Sequence, residues 1–335
     1  MEVLIVNQAE VKRLLPMPEC IEVIAGALET LAHGDAILPL RPVMWLPERL
    51  GALAMMPSYL GNPKVVGLKV ITIFPGNEGT AYDSHQGAVL LFEPEHGRLL
   101  AIMDASEITA IRTAAVSGLA TRLLARKDAG DLAILGSGVQ ARTHLEAMRA
   151  VRMLRRVRVW SRNSGNAHTF AERESKRWGI VVEPIEAAAE AVFGADLICT
   201  TTASHEPVLH GDWIAPGAHI NAVGSSVAAT RELDTAALVR ARLFVDRRES
   251  ALNEAGDFLI PKQEGALGDD HIRGEIGEIL LDTVQGRQSP EEVTLFKSLG
   301  LAVEDAAAAH FIYTRAKEQG MGTSIELGGS RHGEE

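Results

Sequence analysis

The chain has 335 residues, enough for two domains or for one domain with a large insertion. Its 46% apolar and 23% charged residues are ordinary for a globular enzyme, and a net charge of −11 leaves no large basic field to hold a phosphate backbone. Nucleic acid is therefore not an expected partner, and a small anionic substrate would have to find local cations.

The opening stretch "MEVLIVNQAEVKRLL" lacks a basic region followed by a sustained apolar one, and no run reaches the roughly 18 apolar residues that span a bilayer. No membrane association is expected, and the default location is cytoplasmic. In "PECIEVIAGALETLAHGD", Ile21, Ile24, Leu28 and Leu31 recur at helical spacing up to Gly34. Strand-like runs follow: "GALAMMPSYL", "VVGLKVITIFP", and the pair "GAVLLFE" and "RLLAIMDA" joined as a hairpin by "PEHG". This irregular mixture predicts an α+β domain. Ser106 is the expected N-cap of the next helix, which is rich in small residues.

Beyond that helix the pattern becomes regular. Five β-like runs, residues 131–136, 156–161, 195–202, 219–224 and 242–246, alternate with helical segments and predict a Rossmann-type, doubly wound parallel sheet. A further short strand near Val293 to Lys297 and a helix of about 20 residues by its apolar period close the fold. The fold class is therefore α/β with an added α+β domain. The expected boundaries are 1–118 plus 305–325 for the α+β domain, 119–304 for the doubly wound domain, and 326–335 for a frayed, glycine-rich tail. Cys20 and Cys199 have neither metal-like nor redox-like spacing, so no metal is expected.

"ILGSGVQARTHLEA" follows the first regular strand and opens a helix. Gly136 and Gly138, with Ala141 in the third place, form G-x-G-x-x-A. The first glycine permits the tight turn, the second admits a pyrophosphate, the small third residue lets helix and strand pack, and the helix N-terminus faces the negative charge. Further along, "VWSRNS" offers Ser161, Arg162 and Asn163 where an acid would hold the ribose 2′-hydroxyl of NAD. NADPH is the preferred cofactor on this reading, with NADH possible. The competing explanation is that Arg162 is a solvated loop charge.

Three cations stand out in the irregular half. Lys69 lies within the apolar run "VVGLKVITI", Arg112 within the small-residue helix, and Arg41 before a proline that holds it extended. Singly, each is ordinarily a surface residue, and a mid-strand lysine is ordinarily an edge residue whose ammonium snorkels to water. Together they could clamp a carboxylate, arginine as a bidentate fork and lysine as a point charge whose pKa falls on burial.

With these residues in view, the chain resembles the ornithine cyclodeaminase and mu-crystallin family from about residue 3 to 318. The pieces that carry the likeness include "GLKVITIFPGN", "SHQGAVLLFEPEHGRLLAIMDASEITAIRTAAVS", "ILGSGVQA", "PGAHINAVGSS", "RELD", "ESALNEAGD", "EIGEIL" and "TLFKSLGLAVED". The resemblance implies a homodimer in which the N-terminal α+β domain, helped by the last helix, dimerises and forms half of the substrate pocket. It implies that Arg41, Lys69 and Arg112 hold the substrate carboxylate, with Lys69 as proton donor or polariser and His85 and Glu254 as lesser pocket candidates. Val139, Gln140, Ser161, Arg162, Asn163, Thr202, Val223, Gly224, Ser225, Ser226 and Ser298 are implied to contact the dinucleotide or to lie beside the nicotinamide, together with Ser84, Arg112 and Thr113.

The chain departs from the cyclodeaminase branch of that family. The branch's catalytic aspartate maps onto Ser226, its motif lysine onto Thr230, and its acid for the NAD ribose onto "SRN". The mu-crystallin branch, which looks like NADPH-dependent ketimine reductases, carries a serine and an arginine-containing loop at the first and last of these places. Lys69 and Ser226 are thus the catalytic candidates. Cyclodeamination needs a base beside the amines, which an unactivated serine cannot supply. Reduction of a preformed cyclic imine needs an anchored carboxylate, a presented imine carbon and a protonated nitrogen. The expected activity is NAD(P)H-dependent reduction of Δ1-pyrroline-2-carboxylate or Δ1-piperideine-2-carboxylate to proline or pipecolate. The alternatives are a redox-neutral cyclodeaminase, an amino-acid dehydrogenase of the alanine dehydrogenase type, and a nucleotide-dependent binding protein without turnover.

Overall fold

The computed structural model describes residues 2–77 and 79–328. The chain forms two compact units: one runs to Arg112 and resumes at Leu301, the other is Thr113–Gly300. The first boundary falls at 112/113 rather than at 118/119, both within the helix Ala105–Leu124, and the second precedes the terminal helix Ala302–Gln319 rather than cutting it at 304/305.

In the first unit, the strands Thr323–Glu326, Glu2–Val6, Leu99–Asp104, His85–Phe92, Lys64–Ile73, Ala52–Gly61 and Ala36–Ile37 form one sheet in that order, and Val43–Trp45 also pairs with Ala52–Gly61. The expected hairpin is present as the antiparallel pair His85–Phe92 and Leu99–Asp104. Lys64–Ile73 is internal, hydrogen-bonded on one side to Ala52–Gly61 and on the other to His85–Phe92. Its period-two pattern buries Val65, Gly67, Lys69 and Ile71 on one face. The terminal helix packs on this sheet at close range. A Cβ at Gly67 would lie 2.7 Å from the Ala306 Cβ, and Ser58 Oγ donates to the Ala302 carbonyl at 3.0 Å.

Two local expectations are corrected here. Glu107 N donates to Asp104 Oδ1 at 2.7 Å, so Asp104 caps the Ala105–Leu124 helix, while Ser106 Oγ donates to the His85 carbonyl instead. The glycine-rich tail is not frayed from its start: Thr323–Glu326 pairs antiparallel with Glu2–Val6, whose edge supplies the ladder that the local sequence does not announce. The rest of the expected tail, residues 329–335, lies outside the described residues.

The second unit holds eight strands, all parallel. Their order is Val182–Pro184, Arg156–Trp160, Asp131–Leu135, Leu197–Thr200, His219–Ala222, Thr294–Lys297, Arg242–Val245 and Ile272–Glu275. Chain order runs outward in one direction from Asp131–Leu135 and in the other from Leu197–Thr200, with the late strand Thr294–Lys297 inserted between His219–Ala222 and Arg242–Val245, which makes the gap between Asp131–Leu135 and Leu197–Thr200 a topological switch point. Val182–Pro184 and Ile272–Glu275 were not expected from the sequence. Among the described residues, no helix is long and apolar enough to cross a membrane.

Candidate active site

The inward face of Lys64–Ile73 carries Lys69 into the interior, where it is only 3% exposed. The edge-strand explanation therefore fails, because the strand has neighbours on both sides. Lys69 Nζ stands 2.8 Å from Asp305 Oδ2 and 3.4 Å from Thr109 Oγ1. Arg112 is likewise buried; its Nε donates to Asp305 Oδ1 at 3.0 Å and its Nη1 to Glu304 Oε2 at 2.8 Å. Glu304 and Asp305 occupy the first turn of the terminal helix, where the exposed amide ends favour negative charge. The Arg112 Nη2 makes no hydrogen bond among the described residues.

Electrostatics bind this group together. Burial first, then the like charge of Arg112, pull the Lys69 ammonium down to about 8; Asp305 opposes them, and Arg41 adds a smaller downward push. Burial also disfavours the Arg112 charge, but Asp305 and Glu304 outweigh it and hold the guanidinium above its ordinary value. Arg41, half-buried between Ala36–Ile37 and Val43–Trp45, is thus placed near Lys69 as the sequence suggested. His85 opens its strand with Ser84 Oγ 3.0 Å from its Nδ1, and desolvation and then the Lys69 charge lower its imidazole. Glu254 belongs to another part of the chain. It ends the helix Arg248–Glu254 of the second unit.

The glycine loop lies where its motif required. Gly136 has φ +121°, and a Cβ there would meet Thr201 Oγ1 at 2.6 Å, so only glycine makes the turn. Gly138 caps the helix Val139–Val151, and nothing lies within 4 Å of where its Cβ would be, which leaves room for a phosphate at the helix N-terminus. Ala141 is fully buried beneath it. Ser137 Oγ and Ser161 Oγ are 3.0 Å apart, joining this loop to the end of the second strand. Asn163 caps the following helix, its side chain accepting from Asn166 N. Arg162 is exposed and makes no ion pair among the described residues. Among the described residues the buried Ser298 Oγ and Gln140 Oε1 have no partner, so polar atoms remain for a dinucleotide to satisfy. The residues fit such a cofactor.

Past the ladder, the strand ends Leu197–Thr200 and His219–Ala222 are tied by a side chain the sequence reading passed over. The buried Glu232 accepts from Thr202 N at 2.6 Å and Thr202 Oγ1 at 2.7 Å on one oxygen, and from Thr200 Oγ1 and Gly224 N, both at 2.7 Å, on the other. Burial and the Asp257 charge push its carboxyl up. Asp257 Oδ1 in turn accepts from Glu232 N and Leu233 N at 2.8 and 3.0 Å, and its other oxygen lies 2.9 Å from the buried Lys297 Nζ. The turn that follows presents hydroxyls. Ser225 Oγ donates to the Thr230 carbonyl, while the half-buried Ser226 makes no hydrogen bond among the described residues. Thr113, a further cofactor candidate beside Arg112 in the chain, is buried in its helix.

The residues missed were therefore counter-charges and clamps: Glu304, Asp305, Glu232, Asp257 and Lys297. The signal available for them was acid or lysine in an apolar setting, as in "LGLAVEDAAAA" and "VTLFKSLG".

The sequence model of the ornithine cyclodeaminase/mu-crystallin family matches residues 1–320. The ketimine reductase mu-crystallin of Mus musculus is 43% identical over 280 residues, 84% of this chain and 85% of that one. The Δ1-pyrroline-2-carboxylate reductase of Thermococcus litoralis, solved with NADH and L-proline, is 40% identical with a TM-score of 0.94 over 96% of this chain and all (100%) of that one. An archaeal alanine dehydrogenase, solved as a dimer with bound NAD, is 33% identical with a TM-score of 0.92 over 98% of this chain and 100% of that one. Both solved relatives hold a nicotinamide dinucleotide and share the two-unit α/β fold described above. On a match that spans nearly the whole sequence, the chain belongs to the ornithine cyclodeaminase/mu-crystallin family.

Proposed function

We propose that the protein reduces a small cyclic α-imino acid, Δ1-pyrroline-2-carboxylate or Δ1-piperideine-2-carboxylate, to proline or pipecolate at the expense of NADPH, with NADH as a poorer donor. The observation that carries this reading is the absence of an available carboxylate at the strand-end turn. Gly224 to Val227 offers none, and the nearby Glu232 already accepts four hydrogen bonds, so it has no lone pair for a substrate amine. A cyclodeaminase needs such a base; an imine reductase does not. The identity to the mouse ketimine reductase and the likeness to the Thermococcus litoralis enzyme support the same choice.

The reduced nicotinamide supplies a hydride for the imine carbon. The chain's own residues do the rest. Arg112, through Nη2, and Arg41 anchor the substrate carboxylate. Lys69 gives its proton to the imine nitrogen, or keeps it protonated, and recovers a proton from water. The C=N π bond is thereby exchanged for one C–H and one N–H bond. Ser226 hydrogen-bonds the substrate ring edge or the nicotinamide carboxamide, and Ser298 satisfies its buried hydroxyl on the cofactor. His85 and Ser84 border the Lys69 site, and Glu254 has a lesser part.

Loss of NADPH absorbance with either cyclic imine is the test. No net consumption, with ammonia released from ornithine, would replace the reductase by a cyclodeaminase; dependence on pyruvate plus ammonia would make it an alanine dehydrogenase. For the 2′-phosphate, Arg162 is the reader: Arg162→Asp is expected to move the NADPH to NADH preference by on the order of 10- to 100-fold, the worth of one charge-assisted hydrogen bond. An unchanged ratio of kcat/KM values removes Arg162 from that role. The working form is a homodimer, a reading supported by the dimeric archaeal relative and by the exposed Val43, Met44 and Trp45 of the first unit, and checked by light scattering.

A further inference from the structure

Lys69 is an improbable place for a positive charge. It is buried on the inner face of Lys64–Ile73, and two arginines bear on it, Arg112 from the Ala105–Leu124 helix and Arg41 from the segment before Val43–Trp45. His85, from the neighbouring strand, and Thr109, from the helix, add polar groups beside it. Each like charge and every lost water favours release of its proton. One group opposes them at contact distance: the Asp305 carboxylate, reaching in from the terminal helix with Oδ2 2.8 Å from Nζ. The same carboxylate spends its other oxygen on Arg112 Nε at 3.0 Å. Glu304 beside it touches Arg112 at 2.8 Å and makes no ion pair with Lys69.

We propose that Asp305 is the positioning residue of the proton donor: it keeps the Lys69 ammonium charged between two arginines and aims it, while Glu304 serves Arg112. The division of labour follows from geometry. Asp305 bridges both cations, so it fixes their spacing and offsets the repulsion between them. Glu304 binds the far arm of the guanidinium and lets Arg112 keep a counter-ion if Asp305 is lost.

This rests on the reading of Lys69 as donor, and the experiment separates the two. The pH dependence of kcat is measured at saturating imine for the wild type, Lys69→Arg, Asp305→Asn and Glu304→Gln. The wild type is expected to lose activity as pH rises through about 8, where Lys69 gives up its proton, and Lys69→Arg to lack that limb because arginine does not titrate there. Asp305→Asn should move the limb down by about one pH unit or more, with rates closest to wild type on the acid side. Glu304→Gln should leave its position unchanged. Deprotonation of the imine itself is common to all four proteins and cancels in the comparison. A limb that Lys69→Arg abolishes but Asp305→Asn leaves in place overturns this proposal alone; a limb that survives Lys69→Arg overturns the donor assignment with it. A loss of rate in Asp305→Asn that is equal at every pH marks a purely structural part and also overturns it. Should Asp305→Asn not fold, Asp305→Glu, which keeps the charge but displaces it, is read for a smaller shift in the same direction, and an unmoved limb there counts against the proposal.

Discussion

A Lys69→Met variant is expected to lower kcat/KM for a cyclic imino acid by roughly 100- to 10,000-fold, the usual range for removing a positioned proton donor, while its affinity for NADPH is little changed. Methionine keeps the apolar stem on the buried sheet face and deletes only the ammonium, leaving Asp305 paired with Arg112. Arg112→Ala should fail more broadly. It removes the carboxylate fork and strands Glu304 and Asp305 with one cation fewer, and breaking a buried pair in this way costs about 3–5 kcal/mol of stability. Arg112→Lys separates the two effects, since it restores charge without the planar fork and should recover stability more than KM. Single-turnover rates, equilibrium cofactor titrations and melting curves for the three proteins decide the matter. Rates near wild type in Lys69→Met would remove the lysine from the chemistry.

The second large effect concerns the fold at the cofactor end of the parallel sheet. Glu232→Ala leaves the Thr202 and Gly224 amides without their acceptor, and each unsatisfied buried donor costs about 1–3 kcal/mol. The clamp also explains why position 224 is glycine: a Cβ there would sit 2.0 Å from the Thr202 carbonyl oxygen. The variant is expected to lose roughly 2–6 kcal/mol in denaturant unfolding and to weaken dinucleotide binding, because the two strand ends no longer hold a fixed separation. Thr200→Val, which deletes one hydroxyl donor to the same carboxylate, should cost far less. Equal stability of Glu232→Ala and wild type would show that the carboxylate is not what joins the strands.

Much of this arrangement was legible in the sequence, and the gaps have identifiable causes. The glycine turn was readable because its demands are local: a positive φ at Gly136, room at Gly138 and a small residue at 141 are properties of one strand-turn-helix unit. The five regular strands announced themselves by apolar runs. Val182–Pro184 and Ile272–Glu275 did not, being short and carrying a proline and a glycine, so only their parallel neighbours make them strands. Lys69 was singled out, but local sequence favoured a snorkelling edge residue. Its true setting depends on which strands flank it, a matter of register. Asp305 and Glu232 were invisible for the same reason. Each acts on residues distant in the chain, Arg112 for the first and Thr200 and Thr202 for the second, and a carboxylate at a helix start or in a loop ordinarily reads as surface. Ser106 misled through its residue type, since Asp104 two residues earlier met the helix first.

The first unit is interrupted by the whole of residues 113–300, and this orders events during synthesis. Strands, Lys69 and Arg112 emerge from the ribosome early, with two buried positive charges and a sheet face shaped at Gly67 for a helix not yet made. The parallel-sheet unit, continuous in the chain, can close while that face waits. Only when the terminal helix arrives does Ala306 cover Gly67 and do Glu304 and Asp305 neutralise the two cations. The part of the molecule that is translated first is thus the last to be completed, and a nascent chain can hold a finished parallel-sheet unit well before Lys69 and Arg112 meet their counter-ions.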